Sequence, residues 1–331
     1  MFLAAQLRGA PPLRVEGGPV SANERERAVL QATQLYHLDG LTQAAVADRL
    51  GVTRWTVSRL LQEAVDRGIV KTRIEHAYAR LPDLEERLKA KFGLADAQVV
   101  PTMKTRAETF VLVARTAADF LSNIRPQPAV VAVGWGKTTA AIARAMKQGW
   151  NPGVEVTQTN VAPAEVGELL ASGPVRILAS RGPGKAFLLE GPTVARSEAE
   201  AQAVMDEDGN RETLEKSSSA EVFLYSPATL QEATLLVRGG GLKSAHVEAL
   251  RAMGARGSIL CRFVDEKGDP VSSEMQGRTV GISLENLKRE STVIAAGYGA
   301  WKVPAFRAAL SGGHANVVIT DREPAEGLLE D

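Results

Sequence analysis

The sequence predicts an α/β protein in two parts: a small N-terminal helix-turn-helix unit, then a larger Rossmann-like α/β unit on a mostly parallel sheet. Three observations predict it. Residues 23–67 carry apolar side chains at helical spacing. From residue 97 onward, short β-branched runs alternate with helical stretches. With 331 residues, the chain has room for about two domains on the prior of roughly 100–200 residues each.

Composition narrows the partners. Formal net charge is zero, so any nucleic-acid contact must come from a local patch. A single cysteine, Cys261, rules out an internal disulfide and a cysteine-based zinc site, and fits a reducing compartment. No apolar run approaches the roughly 18–20 residues of a membrane span. The opening, "MFLAAQLRGAPPLRVEGGPVSANE", lacks a basic region and a full apolar region, so it does not read as a signal peptide. Residues 1–20 are expected to be a mobile extension and the protein to be cytoplasmic, with no metal or cofactor. The domain bounds expected are 21–80 for the helical unit and 81–331 for a linker helix and the α/β unit.

The first helix is expected over Asn23–Leu38, with Val29, Leu30, Ala32, Leu35 and Tyr36 on one side and Ser21 or Asn23 as cap. Asp39-Gly40 stops it. A short helix follows to Leu50 with Thr42 as N-cap, because a short side-chain oxygen accepts a bond from an orphan N–H. Gly51 sits where the turn needs a residue tolerant of positive φ. Thr53 caps a third helix to about Arg67, Gly68 ends it, and 69–75 alternates like a short strand or wing. In "LPDLEERLKAKFGL", Leu84, Leu88 and Phe92 fall at i, i+4, i+8 of a linker helix. Strands are then expected near 97–101, 129–136, 154–160, 220–226, 257–264, 291–299 and 316–320. Helices are expected over Thr105–Asn123, Thr138–Gln148, Ser244–Met253, Leu284–Arg289 and Trp301–Leu310. Such alternation implies a parallel sheet covered on both faces. Only 180–219 reads as loose.

The two-helix pattern after Gln43 is specific. Ala47 falls where the helices cross and only a small side chain fits; Val57 and Leu60 fall where they must pack back, and Val46, Leu50 and Leu61 complete a core. Arg54, Trp55, Ser58 and Arg59 then point outward at the start of the recognition helix, which in such a unit enters the major groove. Arg can bond guanine O6 and N7 bidentately. Thr53, Thr56 and Ser58 can bond phosphate, and Lys71 and Arg73 on the wing add charge. Between Arg49 and Arg73 there are six basic residues (49, 54, 59, 67, 71, 73) against two acidic ones (63, 66). The alternative is a tri-helical protein-interaction module with a solvated basic face, but such a module would not need this outward set. A double-stranded DNA operator is therefore the expected partner.

A second candidate site is "VVAVGWGKTTAAIARAM", a strand, a Gly-rich turn and a helix. Gly134 and Gly136 let the backbone approach a ligand, and the first helical turn, with Thr138 and Thr139, would receive an anion such as phosphate. Lys137 adds charge. It is neither a Walker A loop nor a full dinucleotide fingerprint; a plain strand-helix turn without ligand is the alternative. "VIAAGYGAWKVPAFRAAL" repeats the arrangement and puts Lys302 at a helix start, where the dipole disfavours a cation. A bound anion explains it; an exposed surface Lys is the alternative. Both loops sit at carboxyl ends of strands, where open α/β sheets bind ligands.

From about Leu35 onward the chain resembles the SorC family of sugar-binding transcriptional regulators, relatives of the deoxyribonucleoside regulator group. The carriers are "VTRWTVSRLLQEAVDRGIV", "VGWGKTTAAIARAM", "LVRGGGLKSAHVEALRAMGARGSIL" and "VGISLENLKRESTVIAAGYGAWKVPAFRAAL…ANVVITD". The resemblance implies an N-terminal DNA-binding domain and a non-catalytic effector domain similar in fold to sugar-phosphate isomerases. It implies a homodimer or homotetramer whose operator binding responds to a phosphorylated sugar or related polyol. Gly136, Thr138, Thr139 and Lys302 would hold the ligand's phosphate or polar end. The chain departs from the family pattern at Ser226, at Ser258, where an acidic residue is common, and at Ala162-Pro163. The function expected is a ligand-responsive regulator of carbohydrate or polyol metabolism, not an enzyme. The alternatives are an isomerase-like enzyme with a DNA-binding arm and an effector-free architectural protein. The four histidines, His37, His76, His246 and His314, are scattered; His314, in the loop before the last strand, is the one that acid-base work could use, and a surface-loop role is the favoured alternative.

Overall fold

The computed structural model describes residues 22–70, 80–238, 242–287 and 290–330. The expected extension over 1–20 lies outside them, as does the expected wing beyond Val70. The chain divides into two units, Met1–Glu75 and His76–Asp331.

The first unit has three helices, α1 (Ala22–His37), α2 (Gln43–Leu50) and α3 (Arg54–Asp66). Thr42 and Thr53 cap α2 and α3: their hydroxyls accept from Ala45 N at 3.2 Å and Thr56 N at 3.1 Å. Gly51 closes the turn at φ 68°, a conformation that costs glycine little. Val46, Ala47, Leu50, Val57, Leu60 and Leu61 are all buried, together with Val29, Ala32 and Ala64. Burying a Val or Leu side chain stabilises by about 1.5–3 kcal/mol, so a core of this size is sensitive to each truncation. The expectation for α1 needs correction: Leu30 and Tyr36 are exposed (42% and 36%). One residue along a helix is about 100° round it, so a helix facing its neighbours through Val29 and Ala32 turns Leu30 away.

The second unit starts with α4 (Pro82–Phe92), β1 (Asp96–Val100), α5 (Arg106–Asn123), β2 (Val130–Val133) and α6 (Lys137–Ala145). It continues through β3 (Glu155–Gln158), α7 (Glu168–Ala171), α8 (Gly173–Arg181), β4 (Lys185–Phe187), α9 (Glu198–Met205) and α10 (Asp208–Ser218). Then come β5 (Val222–Tyr225), α11 (Thr234–Arg238), α12 (Ser244–Ala252), the hairpin β6 (Gly257–Ile259) and β7 (Arg262–Val264), and α13 (Ser273–Arg278). β8 (Thr292–Ala296), α14 (Val303–Ser311), β9 (Val317–Asp321) and α15 (Arg322–Leu329) complete it.

Seven strands form one sheet in the order β1-β9-β8-β5-β2-β3-β4, every neighbouring pair parallel. Successive side chains point to opposite faces, and both faces are buried. Phe223, Tyr225, Val293, Ala295 and Val318 join α4, α14 and α15 in one core; Leu224, Ile294, Ile319, Val131 and Val133 join α5, α6 and α8 in the other.

Three expectations change. The strand over 257–264 is two strands, because Leu260 and Cys261 take positive φ (50° and 64°) and turn the chain back, Ile259 pairing with Arg262. That geometry suits a two-residue hairpin loop, but neither residue advertises it. The 180–219 stretch is ordered: it holds β4, α9 and α10, with Ser197 capping α9 by accepting from Glu200 N at 3.1 Å. The helix expected over Leu284–Arg289 is a single 3-10 turn, Leu284–Asn286, with 288 and 289 outside the described residues.

Candidate nucleic-acid interface and effector pocket

In the first unit, α3 buries Val57, Leu60, Leu61 and Ala64, which leaves Arg54, Trp55, Ser58 and Arg59 exposed on the other side, as expected. Its first turn carries no acidic residue, so the positive end of the helix dipole is uncompensated and suited to phosphate. Trp55 is 68% exposed, and the Arg59 guanidinium lies 4.9 Å from its ring centre. Thr53 and Thr56 share a 2.9 Å hydroxyl contact, so both are engaged in the cap and offer only their remaining capacity to a phosphate. The basic patch is smaller than its composition implies. Arg67 pairs with Glu63 and Glu26 at 3.3 and 3.2 Å, and Glu63 also takes Arg25 at 2.7 Å. The Arg25 hydrogen bond, with Arg67 behind it, holds the Glu63 carboxyl below the ordinary range. Lys71 and Arg73 lie outside the described residues, which leaves Arg49, Arg54 and Arg59 as the exposed cations of α2 and α3 that form no ion pair among the described residues.

In the second unit, β2 stands between β5 and β3 and the chain continues to both sides, so a crevice opens at the carboxyl ends of β2 and β5. Gly134 keeps them close. A side chain there would meet Tyr225 Cβ at 3.2 Å and Leu260 Cδ2 at 3.4 Å, while its N–H donates to Leu224 O at 2.9 Å. The crevice is a cavity of about 370 Å³, in the size range of small-ligand sites. Gly134, Gly136, Lys137, Thr138 and Lys302 all line it, which brings together both loops singled out in the sequence. Asn160, Ser226 and Ser258 add polar groups, and Trp135, Leu235 and Leu260 add apolar ones. Ser226 Oγ is buried and has no hydrogen-bond partner.

Two expectations about this site are corrected. Thr139 does not line the cavity: it is fully buried, and its hydroxyl donates to Gly136 O at 3.2 Å, closing the first turn of α6. Lys302 lines the cavity but is neither a bare cation nor an exposed one. Its ammonium donates to Glu232 Oε1 and Oε2 at 2.9 and 2.8 Å and to Pro227 O at 2.8 Å. The anion that its position calls for is therefore the chain's own Glu232. That residue sits in a stretch with no periodicity or motif, and nothing in the sequence pointed to it.

The groups that acid-base chemistry would need are committed elsewhere. His314 Nε2 contacts Gly268 O at 2.8 Å, and the Tyr225 hydroxyl donates to His314 O at 2.9 Å; burial pushes that phenol upward. The Cys261 thiol, 3.3 Å from Asn160 Nδ2, is pushed up to about 12 by burial. Among the described residues no group of three or more His, Cys, Asp or Glu could hold a metal ion, and no helix is long and apolar enough to cross a membrane.

Comparison with known proteins follows this division. Residues 76–330 match the family described as "Putative sugar-binding domain", and residues 23–67 match "Sigma-70, region 4". The chain is 31% identical over 314 residues to the deoxyribonucleoside regulator of Bacillus subtilis (strain 168), covering 93% of this chain and 99% of the relative. The chain belongs to the SorC family of sugar-binding transcriptional regulators. The erythritol catabolism regulatory protein EryD of Brucella abortus (strain 2308) is 27% identical, over 93% of this chain and 98% of its own. In fold, the SorC-family chain is similar to the full-length sorbitol operon regulator SorC from Klebsiella pneumoniae, with a TM-score of 0.70, 24% identity, and coverage of 92% and 99%. These relatives are transcriptional regulators, not enzymes, so the isomerase-like alternative falls away. The SorC-family chain pairs a helix-turn-helix DNA-binding region with a sugar-binding domain.

Proposed function

We propose that this protein is a ligand-responsive regulator of carbohydrate or polyol metabolism whose effector is a phosphorylated sugar. The observation that carries the proposal is the cavity at the α6 N-terminus. There the first turn of α6, with the N–H groups and side chains of Lys137 and Thr138, offers positive potential and donors to an anion, while the Gly136 N–H is held by Leu170 O at 3.0 Å. The unpartnered Ser226 hydroxyl, with Asn160 and Ser258, offers hydrogen bonds to sugar hydroxyls. Two of the relatives, a deoxyribonucleoside regulator and an erythritol catabolism regulatory protein, support the coarser part of the reading, a carbohydrate or polyol subject.

In this reading, 21–80 is the DNA-binding domain and 81–331 the linker helix and effector domain. Arg54, Trp55, Ser58 and Arg59 face a double-stranded operator, with Thr53, Thr56, Lys71 and Arg73 on phosphates. Two copies in a homodimer, or two pairs in a homotetramer, read a pseudo-palindrome in the cytoplasm. The effector shifts the population between two spacings of the recognition helices, and only by its differential affinity for the two states. The test is a thermal-shift screen of the full chain against sugar phosphates, free sugars and polyols, followed by binding to its own upstream DNA with and without the best compound. A concentration-dependent rise that Thr138→Val abolishes, together with a change in operator affinity, is expected. No rise with any phosphorylated compound would sink the reading.

A further inference from the structure

We propose that Glu232 acts as an internal anion which a phosphorylated effector displaces from Lys302, so that the pocket responds to a ligand's charge. The inference rests on the cavity being the effector site and adds how that site discriminates and signals. A lysine ammonium has three protons to donate. Lys302 uses them on Glu232 Oε1, Glu232 Oε2 and Pro227 O, all within 2.9 Å. Nothing remains for a ligand unless Glu232 leaves.

The two partners differ in freedom. The Lys302 side chain is 7% exposed, against 41% for Glu232. A buried cation that loses its partner is strongly destabilised, so Lys302 holds on to some anion at all times. A half-exposed carboxylate that swings away is taken up by water. The exchange therefore runs one way: an incoming phosphate takes Lys302 and Glu232 goes to solvent. A free sugar or polyol carries no charge with which to replace the carboxylate, and it binds with the pair intact.

Release of Glu232 has a local consequence. The same carboxylate accepts from Thr229 N at 2.7 Å, and Glu232 N donates back to Thr229 Oγ1 at 3.3 Å. Ala228 bridges to Ser258 on β6, and α11 begins two residues after Glu232. Lys302 thus ties the 227–238 segment to the turn before α14 through Pro227 O and Glu232, and the effector removes the second tie, which loosens the chain beyond Ala228. Leu235 and Leu236 of that segment also line the cavity, so occupancy and release involve the same piece of chain.

The test titrates the full-length protein with inorganic phosphate by thermal shift, comparing wild type, Glu232→Gln and Lys302→Met, and follows backbone hydrogen exchange over 228–238. Glu232→Gln is expected to bind phosphate at least about tenfold tighter than wild type. Its segment should exchange without ligand as fast as the phosphate-saturated wild type. Lys302→Met should show neither response. Equal phosphate affinity in wild type and Glu232→Gln, with binding still lost in Lys302→Met, overturns the displacement but leaves the effector site standing. Failure of all three proteins to bind phosphate or any sugar phosphate overturns the site itself, and the displacement with it.

Discussion

The Arg59 guanidinium lies over the Trp55 ring, 4.9 Å from its centre, on the exposed face of the recognition helix. The stack orients a long side chain that would otherwise sample many rotamers, and it gives the exposed Trp55 ring a partner. An exposed cation–π contact is worth about 0.5–1 kcal/mol, so Trp55→Ala is expected to weaken operator binding severalfold. Each bidentate Arg–guanine contact carries about 1–3 kcal/mol of discrimination. Arg54→Ala with Arg59→Ala should therefore cost roughly 100-fold or more in specific binding, measured by fluorescence anisotropy at fixed salt. The effector-induced thermal shift of that double variant should be unchanged.

The Thr53 cap is expected to matter to the same helix for a different reason. Loss of an N-cap hydroxyl costs about 1 kcal/mol. Thr53→Ala should lower protection of the Thr56 amide by roughly fivefold in hydrogen exchange, and Thr53→Ser should restore it. If Thr53→Ala loses DNA affinity with Thr56 protection intact, the hydroxyl acts on phosphate and not on the cap.

Ser226 offers a test in which stability and binding move in opposite directions. A buried hydroxyl without a partner costs about 1–3 kcal/mol. Ser226→Ala should raise the melting temperature of the ligand-free protein and reduce the further rise with effector. A variant that loses stability without ligand would place a bound water or a partner on that oxygen.

Asp321 gives the fold a pH dependence whose sign can be worked out. It is fully buried, and that burial raises its carboxyl above the ordinary 3.8, even though Thr102 Oγ1 and Gly299 N donate to it at 2.5 and 2.7 Å. A group with a raised folded value costs nothing below 3.8, and its penalty grows as pH rises through that raised value. Asp321→Asn, whose Oδ1 can accept from Gly299 N while its Nδ2 donates to Thr102 Oγ1, should therefore gain on wild type in urea unfolding as the pH is raised from about 4 to 7.

Cys261 should be inert in the folded protein. It is 6% exposed with its thiol at about 12, so little thiolate exists at neutral pH. Iodoacetamide at pH 8 should label it only after denaturant is added. Rapid labelling of the native protein would mean that the β6–β7 hairpin opens.

The helical unit was legible almost residue by residue, because its geometry restricts positions 47, 51, 57 and 60 to few side chains. The parallel sheet was legible because β-branched runs alternated with helices. What escaped were features without periodicity. The hairpin turn at Leu260-Cys261 uses residues that rarely take positive φ. α9 and α10 sit in a polar stretch and bury few side chains. For the pocket, the sequence brought the Lys137 and Lys302 loops together correctly, since both follow strand ends. It could not reveal that Thr139 turns inward, because adjacent hydroxyls at a helix start look alike on paper. Nor could it reveal Glu232, whose meaning comes from a contact across 70 positions with Lys302.

The place of β9 in the sheet has a consequence for how the protein is made. β9 lies between β1 and β8, and the Thr102–Asp321 bond at its end joins positions 219 apart. While the ribosome is still working, β1 has no strand to pair with and β8 presents an open edge. The helices that would grip DNA have emerged long before, since synthesis runs at about 5–20 residues per second. A message cut short ahead of Val317 therefore yields a chain with a finished DNA-binding surface and an unclosed sheet. Its bare strand edges invite aggregation.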